Sequence, residues 1–175
     1  MNDIVFFKKD FSYTTEISTA DGSIAEMDLD TGSPITIISI PILLQITKEP
    51  LFSLRNRITD FLASYHSLDF GVYGSQATKV RHSFIPYIIK ELNIGGMEIP
   101  YFMFWLDISN YKDRTIPVTS TLFGFDYIRQ GEKTFDPKDN FHIKFPKKYK
   151  LDTFEINYAL SSFDTNILAI DKLIV

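Results

Sequence analysis

Asp30-Thr31-Gly32-Ser33 is the stretch of this chain best suited to chemistry, because it stands between two apolar runs, Ile24 to Leu29 and Ile35 to Ile40. That position implies a tight turn at a strand end, where a carboxylate is offered outward without burying its own backbone. A carboxylate so placed can take or give a proton in general acid–base work. A plain β-turn would account for the same four residues. The nearest second copy, Asp164-Thr165-Asn166, lacks the glycine and is set aside. Other chemistries find less support. The absence of cysteine removes disulfides, thiol nucleophiles and cysteine-based zinc sites. His66, His82 and His142 are scattered without a metal-ligand spacing, so neither metal nor cofactor is expected. No G-x-S-x-G elbow occurs, and Trp105, inside the run Tyr101 to Leu106, reads as part of a core strand.

The segment MDLDTGSPITIIS, Met27 to Ser39, resembles the active-site segment of retropepsin-like aspartic proteases. Ninety-odd residues later, Leu122, Phe123 and Gly124 lead into Phe125 and Asp126, which resembles that family's second signature, two apolar residues and a glycine before a short helix. The following TFDPKDNFHIKF resembles the hairpin that comes after that helix. Between the two motifs, Phe70 to Ser75 stands where the family places its flap, which puts Tyr73, Gly74 and Ser75 against bound substrate. The resemblance spans roughly residues 10 to 146.

This resemblance implies an aspartic endopeptidase whose catalytic residue is Asp30, acting on a peptide or protein substrate. Two neighbouring carboxylates cannot both ionise, so they share a proton, one acting as base on a water and the other as acid. Only one Asp-Thr-Gly is present, so the second carboxylate must come from a second copy, and a homodimer is implied. In the family's pattern Thr31 bonds across to its symmetry mate and Ser33 holds the outer carboxylate oxygen. Gly32 lets the backbone turn tightly behind it. Pro34 and Phe125 depart from the viral members, which carry an Asp and an Arg there as an ion pair near the dimer interface. Both partners are absent together, which avoids leaving one charge unpaired. The long stretch Leu51 to Tyr65 points to a cellular or bacterial branch. The alternative function is a catalytically silent peptide-binding or dimerisation module of the same fold.

The elements that would position these residues follow from pattern. Abundant Phe, Tyr and Ile favour strands. The fold class expected is mainly β, a retropepsin-like closed β-barrel or sandwich with one inserted amphipathic helix and a short helix on the C-terminal side. Leu51, Leu54, Ile58, Phe61, Leu62 and Tyr65 recur at helical spacing. The short helix covers Phe125 to Gln130 and is closed by Gly131. Asp21-Gly22 signals a hairpin, Gly95-Gly96 another, and Asp136 to Asn140 a turn before a closing hairpin. Ser109 to Thr115 reads as a polar loop. Residues 1–150 form the protease-like domain, and 151–175 a C-terminal extension that could serve as an interface element.

With 18 basic against 22 acidic residues there is no general positive field, so nucleic acid is not an expected partner. The basic stretch Lys144, Lys147, Lys148 and Lys150 reads as a solvated rim. Met1 to Phe11 carries its charges in the wrong order for a secretory signal, and Ile35 to Ile46 is short and broken by Pro41. A soluble, cytoplasmic protein without a membrane anchor is expected.

Overall fold

The computed structural model describes residues 3–73 and 79–145. The extension 151–175 and the expected flap residues Gly74 and Ser75 therefore lie outside the described residues. The chain is mainly β. Strand β1 (Asp3–Lys9) turns at Asp10-Phe11 into β2 (Ser12–Ser18), with Asp10 in the left-handed region at φ 53°. Then come β3 (Ala25–Leu29), β4 (Ile37–Ser39), α1 (Ile40–Thr47), α2 (Leu51–Ser64), β5 (Leu68–Tyr73), β6 (Lys79–Ile94) and β7 (Met97–Asp107). The remainder is α3 (Ser109–Lys112), β8 (Leu122–Phe123), α4 (Phe125–Ile128), β9 (Glu132–Phe135) and β10 (Phe141–Lys144).

All ten of these strands join one sheet in the order β5-β6-β7-β4-β8-β3-β2-β1-β10-β9, and β6 also pairs with β2. That extra pairing, Ile17 with Ile94 and Ser18 with Asn93, closes β2, β3, β8, β4, β7 and β6 into a ring. Closure removes sheet edges within the ring and leaves β5 and β9 as the edges. Within β6 the backbone turns left-handed at Glu91, at φ 52°, across from Pro100, which has no N–H to give. Within β7 the run from Phe102 to Asp107 is buried at every position, as in a strand covered on both faces. Ile4 and Phe6 of β1, Ile17 of β2, Met27 of β3 and Phe123 of β8 complete one apolar cluster with it.

Five expectations change. The inserted region holds two helices rather than one, because Ser39 caps α1 through its side chain and Pro41 sits in the first turn, where its missing N–H costs nothing. The strand expected from Ile35 to Ile40 is cut to Ile37–Ser39 by that helix start. Asp21-Gly22 is not a tight hairpin: the loop from 19 to 24 lies on the end of α1. There Ser23 N–H donates to the Gln45 carbonyl (3.0 Å), and a Cβ on Gly22 would fall 1.7 Å from the Ile46 oxygen. Gly131 does not cap a helix with left-handed backbone. α4 ends at Ile128, and Gly131 is required by space, since a Cβ there would meet Ile143 Cγ2 at 2.3 Å. The loop expected from Ser109 to Thr115 begins with the single turn of α3.

The amphipathic stretch expected from Leu51 is helix α2, which buries Leu54, Ile58 and Phe61. No helix among the described residues is long and apolar enough to cross a membrane.

Candidate active site

β8 lies between the two strands that flank the Asp30 turn. It runs parallel to β3, with Asp28 opposite Leu122 and Leu29 opposite Phe123, and antiparallel to β4, with Ile37 opposite Leu122. The chain leaving β3 must therefore loop over the end of β8 before returning as β4. Asp30 begins that loop, and its N–H donates to the Phe123 carbonyl at 3.0 Å. Ser33 N–H closes the turn on the Asp30 carbonyl (3.2 Å), and Gly32 N–H donates to Asp30 Oδ1 (2.8 Å). Asp30 is partly exposed, Thr31 and Gly32 are exposed, and Ser33 is buried. Asp30 thus stands on a tight turn at the end of β3, as its place in the sequence implied.

Two details differ from the roles the resemblance implies. Ser33 Oγ donates to the Ile35 carbonyl at 2.6 Å, so within one chain it braces the turn rather than the Asp30 carboxylate. Gly32 does not use left-handed backbone. What it supplies is room, because a Cβ there would press on Asp30 Oδ1 at 3.2 Å.

The second motif grips this turn from below. Phe125 N–H donates to the Ser33 carbonyl at 2.8 Å. Gly124 runs so close to the turn that a Cβ on it would lie 2.2 Å from the Ile35 oxygen and 3.0 Å from the Ser33 oxygen. Its N–H donates to Thr36 Oγ1 (2.9 Å), which in turn donates to Asp126 Oδ1 (2.7 Å). Asp126 also accepts from Thr36 N–H (3.1 Å) and Tyr127 N–H (2.9 Å). Burial pushes the Asp126 carboxyl above the usual carboxylate range, against the lowering pull of those Thr36 and Tyr127 hydrogen bonds and the Arg129 charge. Leu122 and Phe123 anchor the unit in the core. The Phe123 ring packs 5.3 Å from Phe6 and 5.9 Å from Tyr127, whose hydroxyl donates to the Met103 carbonyl (2.8 Å).

Thr36 was not singled out in the sequence, although a Thr inside the apolar run Ile35 to Ile40 is a signal, and it is fully buried, so its hydroxyl must find a partner. Asp28 was also passed over. It shares the outward face of β3 with Asp30 by the two-residue period of a strand. Burial first, then the charges of Glu26 and Asp30, push the Asp28 carboxyl above its ordinary range, and Lys9 partly offsets them.

The expected flap is an arm. Residues 79–83 of β6 pair with β5 alone, from Asp69 with Ser83 to Tyr73 with Lys79, while pairing of β6 with β7 begins only at Phe84. The backbone of Tyr73 ends β5 on this arm. The base of the arm lies beside Ser39, through Phe84 and Asp107.

None of the three histidines gathers ligands, and the described residues contain no group of three or more His, Asp or Glu placed to hold a metal ion. His66 is exposed. His82 is buried at the base of the arm, its Nδ1 2.9 Å from Asp107 Oδ2, which also accepts from Thr119 Oγ1 at 2.8 Å. His142 lies on β10, far along the sheet from Asp30.

No protein-family model matches the chain, and no curated protein matches it. Among solved structures it is similar to the crystal structure of a retropepsin-like aspartic protease from Rickettsia conorii. The identity is 11% and the TM-score 0.45, over 82% of this chain and 91% of that one.

Proposed function

We propose that this chain is an aspartic endopeptidase of retropepsin type, active as a homodimer, in which the Asp30 carboxylates of two copies share one proton. One of the pair takes a proton from a bound water as that water attacks the scissile carbonyl carbon, and the other gives its proton to the carbonyl oxygen. The observation that carries the reading is the outward Asp30-Thr31-Gly32-Ser33 turn, fixed by β8 from between the strands that flank it. A rigid support of that kind is what catalysis by position needs, because a misplacement of about 1 Å can cost roughly a hundredfold in rate. The face around Asp30 suits a second copy, since Thr31, Gly32, Pro34 and Phe125 are exposed and uncharged.

The β5–β6 arm is read as the flap. At about 3.3 Å per residue its six-residue strand β5 measures about 20 Å. Extended substrate would then lie between arm and turn, bound chiefly through main-chain hydrogen bonds.

The turn of Ser33 Oγ to Ile35, away from Asp30, favours a second reading, a silent module that binds peptide or pairs without cleaving. A random peptide library incubated with the wild-type and Asp30→Asn chains at several pH values separates the two. Cleavage by the wild type alone supports the protease. Binding without cleavage by both chains supports the module.

A further inference from the structure

His142 is held at both ring nitrogens by carboxylates from different parts of the chain. Its Nδ1 is 3.0 Å from Asp3 Oδ2, on β1, and its Nε2 is 3.0 Å from Asp136 Oδ2, at the start of the β9–β10 turn. A neutral imidazole has one N–H and one lone pair, so only the imidazolium can donate to both carboxylates at once. We propose that His142 is a pH-operated clasp, which as imidazolium ties the first strand to the β9–β10 turn and releases one end when it loses its proton.

The two ends are unequal, and this decides which one lets go. Asp136 has other donors: Lys138 N–H at 2.8 Å, Asn140 N–H at 3.0 Å and Asn140 Nδ2 at 3.0 Å. Asp3 has none among the described residues, and its Oδ1 is buried without a hydrogen-bond partner. The remaining proton therefore stays on Nδ1 for Asp3. The Nε2 lone pair is then left facing Asp136 Oδ2, and that contact turns from attractive to repulsive.

The neighbouring charges do not undo this. On the outer face shared with His142, Lys144 of β10 is the register partner of Glu132 of β9 on one side and of Asp3 of β1 on the other, so it stands between two acidic groups and favours the charged form of Asp3. In the turn, Asp139 is paired with Lys8, and Lys138 uses its backbone N–H on Asp136. The hydrogen bonds to Asp136 and then Asp3 hold the His142 pKa above its ordinary value. The bonds from His142 and Asn140 hold Asp136 well below the carboxylate range.

The signs give a window. Raised in the folded chain, His142 contributes stability that is full below the ordinary imidazole pKa of about 6.5 and is lost as pH rises through its folded value. Lowered in the folded chain, Asp136 contributes stability that is full above about 3.9 and is lost as pH falls through its folded value. The clasp thus contributes its full stability between about pH 4 and pH 6.5, and in the folded chain it stays closed somewhat beyond both limits. It is independent of whether the chain is a protease.

The test is a proton NMR titration of the imidazole C–H signals of the full chain, assigned with His142→Gln and His66→Gln variants. His142 is expected to titrate above the ordinary imidazole value of about 6.5, and Asp136→Asn is expected to bring it down. A His142 midpoint at or below about 6.5, or one that Asp136→Asn leaves in place, overturns the clasp. Chemical unfolding at pH 5.5 and pH 9 gives a second readout. Between those values the unfolding constant of the wild type should rise relative to that of His142→Gln by tenfold for each unit of elevation. Equal pH dependence in the two chains also overturns the proposal. Should His142→Gln fail to fold, the wild-type and Asp136→Asn titrations still decide it.

Discussion

Replacing Thr36 by Val removes one hydroxyl and almost no volume, so it isolates the link between the Asp30 turn and the second motif. Two hydrogen bonds go: the one Gly124 N–H gives to Thr36 Oγ1 (2.9 Å) and the one Thr36 Oγ1 gives to Asp126 (2.7 Å). Asp126 keeps its bonds from Thr36 N–H and Tyr127 N–H, but Gly124 N–H is left buried without an acceptor. An unsatisfied buried donor costs about 1–3 kcal/mol, and a lost hydrogen bond to a charged group a comparable amount. Allowing for relaxation, the variant should lose about 2–4 kcal/mol, which for a chain of this size is a fall of about 5–15 °C in Tm. Thr36→Ser keeps the hydroxyl and loses one buried methyl, about 1 kcal/mol, so its Tm should fall by only a few degrees. Thermal unfolding at neutral pH, followed by circular dichroism, compares the two. If Thr36→Val melts no lower than Thr36→Ser, the hydroxyl does not tie the turn to the second motif, and the reasoning fails.

Gly124→Ala would drive its Cβ into the Ile35 and Ser33 carbonyls, and overpacking of this kind costs about 1–3 kcal/mol. If the turn is catalytic, kcat for peptide cleavage should fall much further than Tm alone would suggest, and a proportional loss in both would make Gly124 merely structural. Ser33→Ala should cost about 1 kcal/mol, from the bond to the Ile35 carbonyl, and leave the pH profile of cleavage unmoved. A shifted profile would mean that the hydroxyl reaches Asp30 in the active form.

Local features were readable in the sequence where one residue type enforces one geometry. The Asp30 turn, the α2 stripe of Leu54, Ile58 and Phe61 and the Gly95-Gly96 hairpin all follow from spacing and from glycine, whose φ values of 53° and 92° at 95 and 96 few other residues adopt. The placement of β8 was not readable, because a strand of two residues has no period and its neighbours, β3 and β4, are more than eighty residues earlier. α1 was hidden by Pro41, which in a composition reading breaks an apolar run and in the structure starts a helix. Gly22 and Gly131 were read as turn and cap signals, whereas each is fixed by what packs against it, the Ile46 carbonyl and the Ile143 side chain. Those contacts exist only once the chain is folded. Within the site, the motif residues were found and their individual hydrogen bonds were not, as Ser33 and Thr36 illustrate.

The claim at the centre of this account is that each active site needs Asp30 from two chains, and mixing tests it most directly. Equal amounts of wild-type and Asp30→Asn chains are allowed to exchange, and peptide cleavage is measured per wild-type chain. Random pairing leaves about a quarter of the dimers with two Asp30 carboxylates and traps about half of the wild-type chains in mixed pairs. Activity per wild-type chain should therefore fall to about half. Unchanged activity after subunit exchange has been demonstrated, or cleavage by a chain shown to be monomeric at the assay concentration, would contradict the paired site.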